Sequence, residues 1–252
     1  MNHKVISHQE SFDLIIKKLR GGKPFSFVRF GDADYIMMYE KSRGRLIGQS
    51  NRFRVTAELQ REIIECHNIQ DEDFLIGSVL NDSSGYLMQS YNTEIKKSYL
   101  PPLKEHEWLV AMSCLQEILL TDTKKFLEFP REMRRTNTML VGSYNHERLS
   151  QIFGDIDIFI EVPRRNCYAT IDEWYPKVLE KKHKVGKIVL AAGQSSRVIA
   201  KRLWKSDDIA IDVGSLGDMF VLDTEVDIPL RTHIKKGRVL INESVSKVLE
   251  SI

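Results

Sequence analysis

The chain has 252 residues, of which 42% are hydrophobic and 29% charged, and its formal net charge is +2. This is the composition of an ordinary soluble globular protein, long enough for one large α/β domain or two small ones. The near-neutral balance argues against a dominant nucleic-acid footprint, and no apolar run approaches the roughly 20 residues of a membrane helix.

The N-terminal MNHKVISHQESFDLIIKKL lacks the apolar core of a signal peptide. Cys66, Cys114 and Cys167 lie far apart with no C-x-x-C, which predicts reduced thiols in a cytoplasmic protein and argues against zinc. Ser7 to Arg20 carries Phe12, Ile15, Ile16 and Leu19 on one helical face, and Gly21-Gly22 ends it. Pro24–Phe30 reads as a buried strand, followed by an Asp32-Ala33-Asp34 turn and a helix from Tyr35 to Tyr39. Arg43, Arg45, Arg52 and Arg54 follow in a Gly-containing loop, either solvated or a clamp over an anion. Thr56–Asn68 reads as a helix, Asp71–Asp73 as a solvated turn and Phe74–Val79 as a strand. Asn81–Gly85 reads as a polar loop. Tyr86–Tyr99 and His106–Leu120 are helical candidates on either side of Pro101-Pro102, and Asp122–Phe129 a short one.

From Asn137 the pattern alternates regularly. Thr138–Gly142, Asp157–Val162, Lys187–Ala192 and Ile209–Val213 read as strands. Asn145–Phe153, Ile171–Lys184 and Ser195–Lys205 read as the helices between them, and Glu243–Glu250 as a closing helix. Such alternation predicts an α/β fold: a mainly parallel sheet with helices on both faces. A single domain is expected, with a helical insertion at 86–135.

Four stretches can carry chemistry. Arg29, Gly31, Asp32 and Asp34 end a buried strand: two carboxylates one residue apart can converge on a hard cation, and an arginine beside them can hold an anion. A second D-x-D, Asp155-Ile156-Asp157, reads as strand entry. The strand at 188–192 runs through Gly193-Gln194 into Ser195 and Ser196, a strand–turn–helix geometry that presents amides to a phosphate. It matches neither the dinucleotide nor the P-loop fingerprint. Asp212, Gly214, Gly217 and Asp218 follow another strand and invite comparison with S-adenosylmethionine methyltransferases. Their late position and the missing third glycine oppose that. Pro163–Asn166 forms a loop that can hold a nucleobase or ribose. Glu161 or Asp218 can serve as general base, and spacing selects neither. Seven histidines show no metal-ligand spacing, and no G-x-S-x-G elbow supports a serine hydrolase.

FVRFGDAD resembles the R-F-G-D-G-E segment of the GT-D-type glycosyltransferases, bacterial enzymes whose fold was first described as a domain of unknown function. LAAGQSSRVIAKRLWKSDDIAIDVGSLGDMF resembles their strand–G-P-T/S–helix–strand–D-x-G block, and IEVPRRNCYATIDEW their P-x-x-N-A loop. These anchors lie in order across residues 25–220. The resemblance implies a Rossmann-like α/β domain, a UDP-sugar donor and a divalent metal, Mn2+ or Mg2+. It implies that Asp32 and Asp34 are the metal-binding acids, with Arg29 before them. Gly193, Ser195 and Ser196 would face the diphosphate, and Asp212 would close the last strand. The chain departs from the family pattern at Ala33, Asp34 and Gln194, where Gly, Glu and Pro are usual. The downstream G-H-I-D pattern stands here as Gly214-Ser215-Leu216-Gly217-Asp218.

The reading is therefore a metal-dependent glycosyltransferase acting on a hydroxyl of a glycan, glycoprotein or glycolipid. Transfer to a modified DNA base is a lesser possibility, which the arginine loop would suit. A methyltransferase and a catalytically silent nucleotide-binding protein are the rival readings. Donor sugar, linkage and oligomeric state are not readable from the sequence.

Overall fold

The computed structural model describes residues 4–39, 55–78, 104, 106–143, 147–214, 216–221 and 234–252. The arginine loop, the 81–85 loop and the 86–99 helix candidate lie outside these residues. Helix α1 (His8–Gly21) starts at a capping box, in which Ser7 and Glu10 satisfy each other's backbone N–H groups. It ends at Gly22, whose left-handed φ of 63° suits glycine. Strand β1 (Phe25–Phe30) follows, buried at every position. Helix α2 (Asp32–Tyr39) then starts at Asp32, earlier than expected, so the Asp-Ala-Asp triplet is the first turn of a helix. Helix α3 (Ala57–His67) is capped by Thr56 and leads to β2 (Phe74–Ser78).

The stretch expected as a helix from His106 is mixed. Val110–Ala111 form a short strand, β3, and the helix α4 (Cys114–Thr121) begins only after it. Gly77 allows this pairing, because a Cβ there would come within 3.0 Å of the Val28 carbonyl and 3.1 Å of Met112 Cα. Helices α5 (Thr123–Phe126) and α6 (Glu128–Met133) follow. The remaining elements alternate as expected: β4 (Thr138–Gly142), α7 (Glu147–Phe153), β5 (Ile156–Glu161), α8 (Ile171–Lys181), β6 (Lys187–Ala191), α9 (Ser195–Leu203) and β7 (Ile209–Asp212). Asp155-Ile156-Asp157 is indeed strand entry, with Ile156 opening β5. Helix α10 (Leu216–Val221), which the sequence reading did not anticipate, and α11 (Ile234–Ser251) complete the order.

Among the described residues, seven strands form one sheet in the order β3-β2-β1-β7-β6-β4-β5. All of their described pairings are parallel. Alternate side chains therefore feed two cores. Val28, Phe30, Met139, Val141 and Leu190 pack with α2, α3, α8 and α9. Phe25, Phe27, Leu140, Val189 and Ile211 pack with α1, α4 to α7, α10 and α11. Helices α4 to α6 belong to this second layer and pack with α1 and α11. The described part of the expected helical insertion is thus built into the main core.

Candidate functional site

Strand β1 adjoins β7, where the two halves of the sheet meet. The chain leaves β1 into α2 of the first layer and leaves β7 into α10 of the second. Divergent exits of this kind open a crevice at the carboxyl ends of the strands, the usual ligand site of open α/β sheets. Three of the four singled-out stretches end here: Gly31–Asp34 after β1, Gly193–Ser196 after β6, and Asp212–Asp218 across the end of β7.

The centre of the corner is a residue the sequence reading passed over. Arg197, in the first turn of α9, reaches Asp34 Oδ2 at 2.8 Å and Asp212 Oδ2 at 3.2 Å. Its Nη1 also donates to the Gly193 carbonyl at 2.7 Å. All three charged side chains are buried, with 10%, 3% and 1% of their surface exposed for Arg197, Asp34 and Asp212. Burial acts against the guanidinium charge, but the two carboxylates more than offset it, and the Arg197 pKa is held above its ordinary value. A cation in a helix's first turn is disfavoured by the helix dipole, so Arg197 stands where it does because of these partners.

Asp34 also has a local task. Its Oδ2 accepts from the Gly31 N–H at 2.9 Å, which is half of a capping box at the start of α2. Asp212 accepts from the Gly214 N–H at 3.0 Å and from the Arg29 backbone N–H at 3.3 Å. It thereby closes the β7 turn onto β1.

Arg29 does not face this ion cluster. Its Nε donates to the Met112 carbonyl at 2.8 Å and its Nη1 to the Val213 carbonyl at 2.6 Å. The Gln116 amide oxygen, oriented as the network requires, accepts from both terminal nitrogens at 2.9 and 2.8 Å. Burial lowers the Arg29 pKa, with Asp212 opposing it. The guanidinium is a buried tie between the turn after β3 and the turn after β7, and not the anion holder expected from the sequence.

The serines are also turned inward. Ser196 Oγ accepts from the Ala192 N–H at 3.0 Å, and Ser195 Oγ meets Cys167 Sγ at 3.0 Å. The Ser195 and Ser196 backbone N–H groups close the turn onto the Ala192 and Gly193 carbonyls at 3.2 and 3.1 Å, and Gly193 takes φ 56°. Cys167 Sγ also donates to the Ala192 carbonyl at 3.0 Å, which ties the Pro163–Asn166 loop to this turn. Asn166 takes a left-handed φ of 53° there. Burial raises the Cys167 thiol above its ordinary pKa, so it is a poor nucleophile.

No family model matches the chain, and no curated protein matches it in sequence. Solved structures do match. A glycosyltransferase (DUF1792) from Streptococcus sanguinis aligns with a TM-score of 0.63 at 18% identity, covering 85% of this chain and 82% of that one. A second structure, described as showing that the highly conserved domain of unknown function 1792 has a distinct glycosyltransferase fold, gives 0.62 at 17% identity, covering 84% and 78%. A selenomethionine-substituted DUF1792 structure gives 0.61 at 17% identity, covering 85% and 79%.

The chain has the DUF1792 fold.

On that fold, the expected pincer of Asp32 and Asp34 around a cation meets a constraint at Asp34. Both positions lie in the first turn of α2, where residues two apart are separated by about 200° around the axis and do not share a face. Asp34 Oδ2 accepts from both Arg197 and Gly31. Among the described residues, no group of three or more His, Cys, Asp or Glu side chains is placed to hold a metal. Of the two general-base candidates, Glu161 ends β5 at the far edge of the sheet, whereas position 218 lies in α10, the element that follows β7.

A sequence signal for the true arrangement existed. An acid-rich triplet after Gly31 and before the apolar Tyr35–Tyr39 run is what a helix N-terminus looks like. Arg197 had only its unfavourable first-turn position to betray it.

Proposed function

We propose that this chain is a glycosyltransferase that binds a nucleotide-sugar, a UDP-sugar, in the β1–β7 crevice. The observation that carries this reading is the DUF1792 fold over most of the chain, with the Gly193 turn and α9 opening on the same crevice. The diphosphate lies against the backbone of the Gly193 turn, and the nucleoside extends toward the Pro163–Asn166 loop. A hydroxyl of a glycan, glycoprotein or glycolipid acceptor attacks the anomeric carbon, and the nucleoside diphosphate departs. Position 218, on the α10 side, suits the base that takes the hydroxyl proton. A divalent ion, manganese or magnesium, belongs to this reading as a companion of the donor diphosphate, and it would supply charge neutralisation of the leaving group. The binding and positioning above fall to the protein's own residues.

The reading is tested by thermal shift with UDP, UDP-sugars and S-adenosylmethionine, followed by UDP release from a donor panel with and without acceptor mixtures. Stabilisation by UDP and release of UDP are expected. Stabilisation by S-adenosylmethionine alone would replace the reading with a methyltransferase. UDP binding with no turnover in any donor and acceptor combination would leave a nucleotide-binding protein.

A further inference from the structure

We infer that Arg197 is the resident cation of this corner, and that Asp34 is its counter-ion and not a ligand to a divalent metal. The assignment concerns the site of the proposed function but rests on that reading only for its nucleotide arm.

Within the corner, Asp34 and Asp212 carry negative charge, and Arg197 bridges them at 2.8 and 3.2 Å. Arg29 lies behind, close enough that Asp212, Arg197 and Asp34 all act on its pKa. Two carboxylates therefore meet the Arg197 guanidinium, with the Arg29 charge behind it, in a place nearly closed to water. A divalent ion on Asp34 would add two positive charges beside the Arg197 guanidinium, where poor screening makes the repulsion large. One oxygen of that carboxylate is also geometrically engaged, since Oδ2 accepts from both Gly31 and Arg197.

Arg197 has capacity left over. Its Nε–H is buried and finds no hydrogen-bond partner among the described residues. An unmet buried donor is uncommon and costs stability, and an arriving acceptor relieves the cost. A phosphate oxygen is such an acceptor, and guanidinium suits it in charge and shape. Arg197 thus supplies at this corner the fixed positive charge that the sequence pattern assigned to a metal. Any divalent ion in the reaction arrives with the donor and is held elsewhere than on Asp34.

The test has two arms. In the first, UDP affinity is measured by calorimetry with manganese and with chelator, in the native chain and in Asp34→Asn. Manganese is expected to change the affinity by the same factor in both, within about threefold. A gain of about tenfold or more in the native chain that vanishes in Asp34→Asn overturns the assignment. In the second arm, manganese alone is added to the native chain and to Arg197→Gln, and Tm is followed. Arg197→Gln leaves two buried carboxylates without their partner, so manganese is expected to raise its Tm while leaving the native Tm in place. No shift in Arg197→Gln overturns the assignment. Should that variant be too unstable to measure, Arg197→Lys replaces it. One amine does not span both carboxylates, so a smaller shift is expected and its absence has the same consequence. If no UDP binds under any condition, the donor reading fails while the manganese arm still decides the role of Arg197.

Discussion

Arg197 Nη2 lies 2.8 Å from Asp34 Oδ2, joining the first turns of two helices that are 163 residues apart in sequence. This pair, extended to Asp212, sets how the exits from β1, β6 and β7 are held together. Replacing Arg197 by Met leaves Asp34 and Asp212 buried without their shared guanidinium, a loss of about 3–5 kcal/mol for a broken buried pair. Urea denaturation should show it. The double variant Asp34→Asn/Arg197→Met should recover part of the loss, and strict additivity of the two single variants would contradict the pairing.

Gly214 is required by the Arg29 tie. It has φ 48°, and a Cβ there would overlap the Arg29 guanidinium. Gly214→Ala is expected to cost about 2–4 kcal/mol, from left-handed strain and displacement of a buried charge together. An unchanged denaturation midpoint would show that the turn does not hold Arg29 as described.

The Gly193 turn separates backbone from side-chain contributions. Ser196→Ala removes the acceptor for the Ala192 N–H and should cost about 1–2 kcal/mol of stability. Because that hydroxyl is spent inside the protein, UDP affinity should stay within about twofold. Gly193→Ala forces a left-handed φ onto alanine and should weaken UDP binding by about tenfold through the displaced backbone. Calorimetry on both variants checks the contrast; equal losses of affinity would mean that the serine hydroxyl meets the ligand.

Lys187 makes stability depend on pH. Burial lowers its pKa from 10.5 to about 8, with Glu132 opposing the shift, while Nζ donates to the Met133 carbonyl and Thr136 Oγ1. Between those two values the unfolded chain binds more protons than the folded one, so this group makes stability rise with pH there. Its cost is fully present below about pH 8. The native chain should therefore gain up to about 3 kcal/mol relative to Lys187→Met between neutral pH and about pH 10. Denaturation curves across that range should show the gap closing, and a gap independent of pH would contradict the shift.

Position 218, in α10 after β7, is the base in the proposed function. Asp218→Asn should lower transfer by about 10²- to 10⁴-fold with little change in UDP affinity, if the carboxylate takes the acceptor proton. Equal turnover in the variant would move the search to another group. The measurement is kcat under donor saturation, set against KM.

Most of the fold was readable from the chain alone. The alternation of apolar strands and amphipathic helices after Asn137 identified the parallel sheet. A parallel strand buried on both faces is a short apolar run, and the periodicity of its covering helix differs plainly from it. The capping box at Ser7 and Glu10 marked its helix for the same local reason. Val110–Ala111 and α10 escaped because each is too short to show a period. The first is a strand only through its pairing with Gly77 and Ser78.

The site divided differently. Sequence by itself brought forward Asp34, Gly193 and Asp212, because strand-end acids and a strand–turn–helix glycine are local patterns. Only the tertiary structure decided what they face. Strand alternation and the β1–β7 pairing turned Arg29 into a buried tie, and helix phase separated position 32 from position 34. Arg197 became the partner of both buried acids because charge compensation in a low-dielectric interior is settled by proximity in space, which no spacing along the chain records.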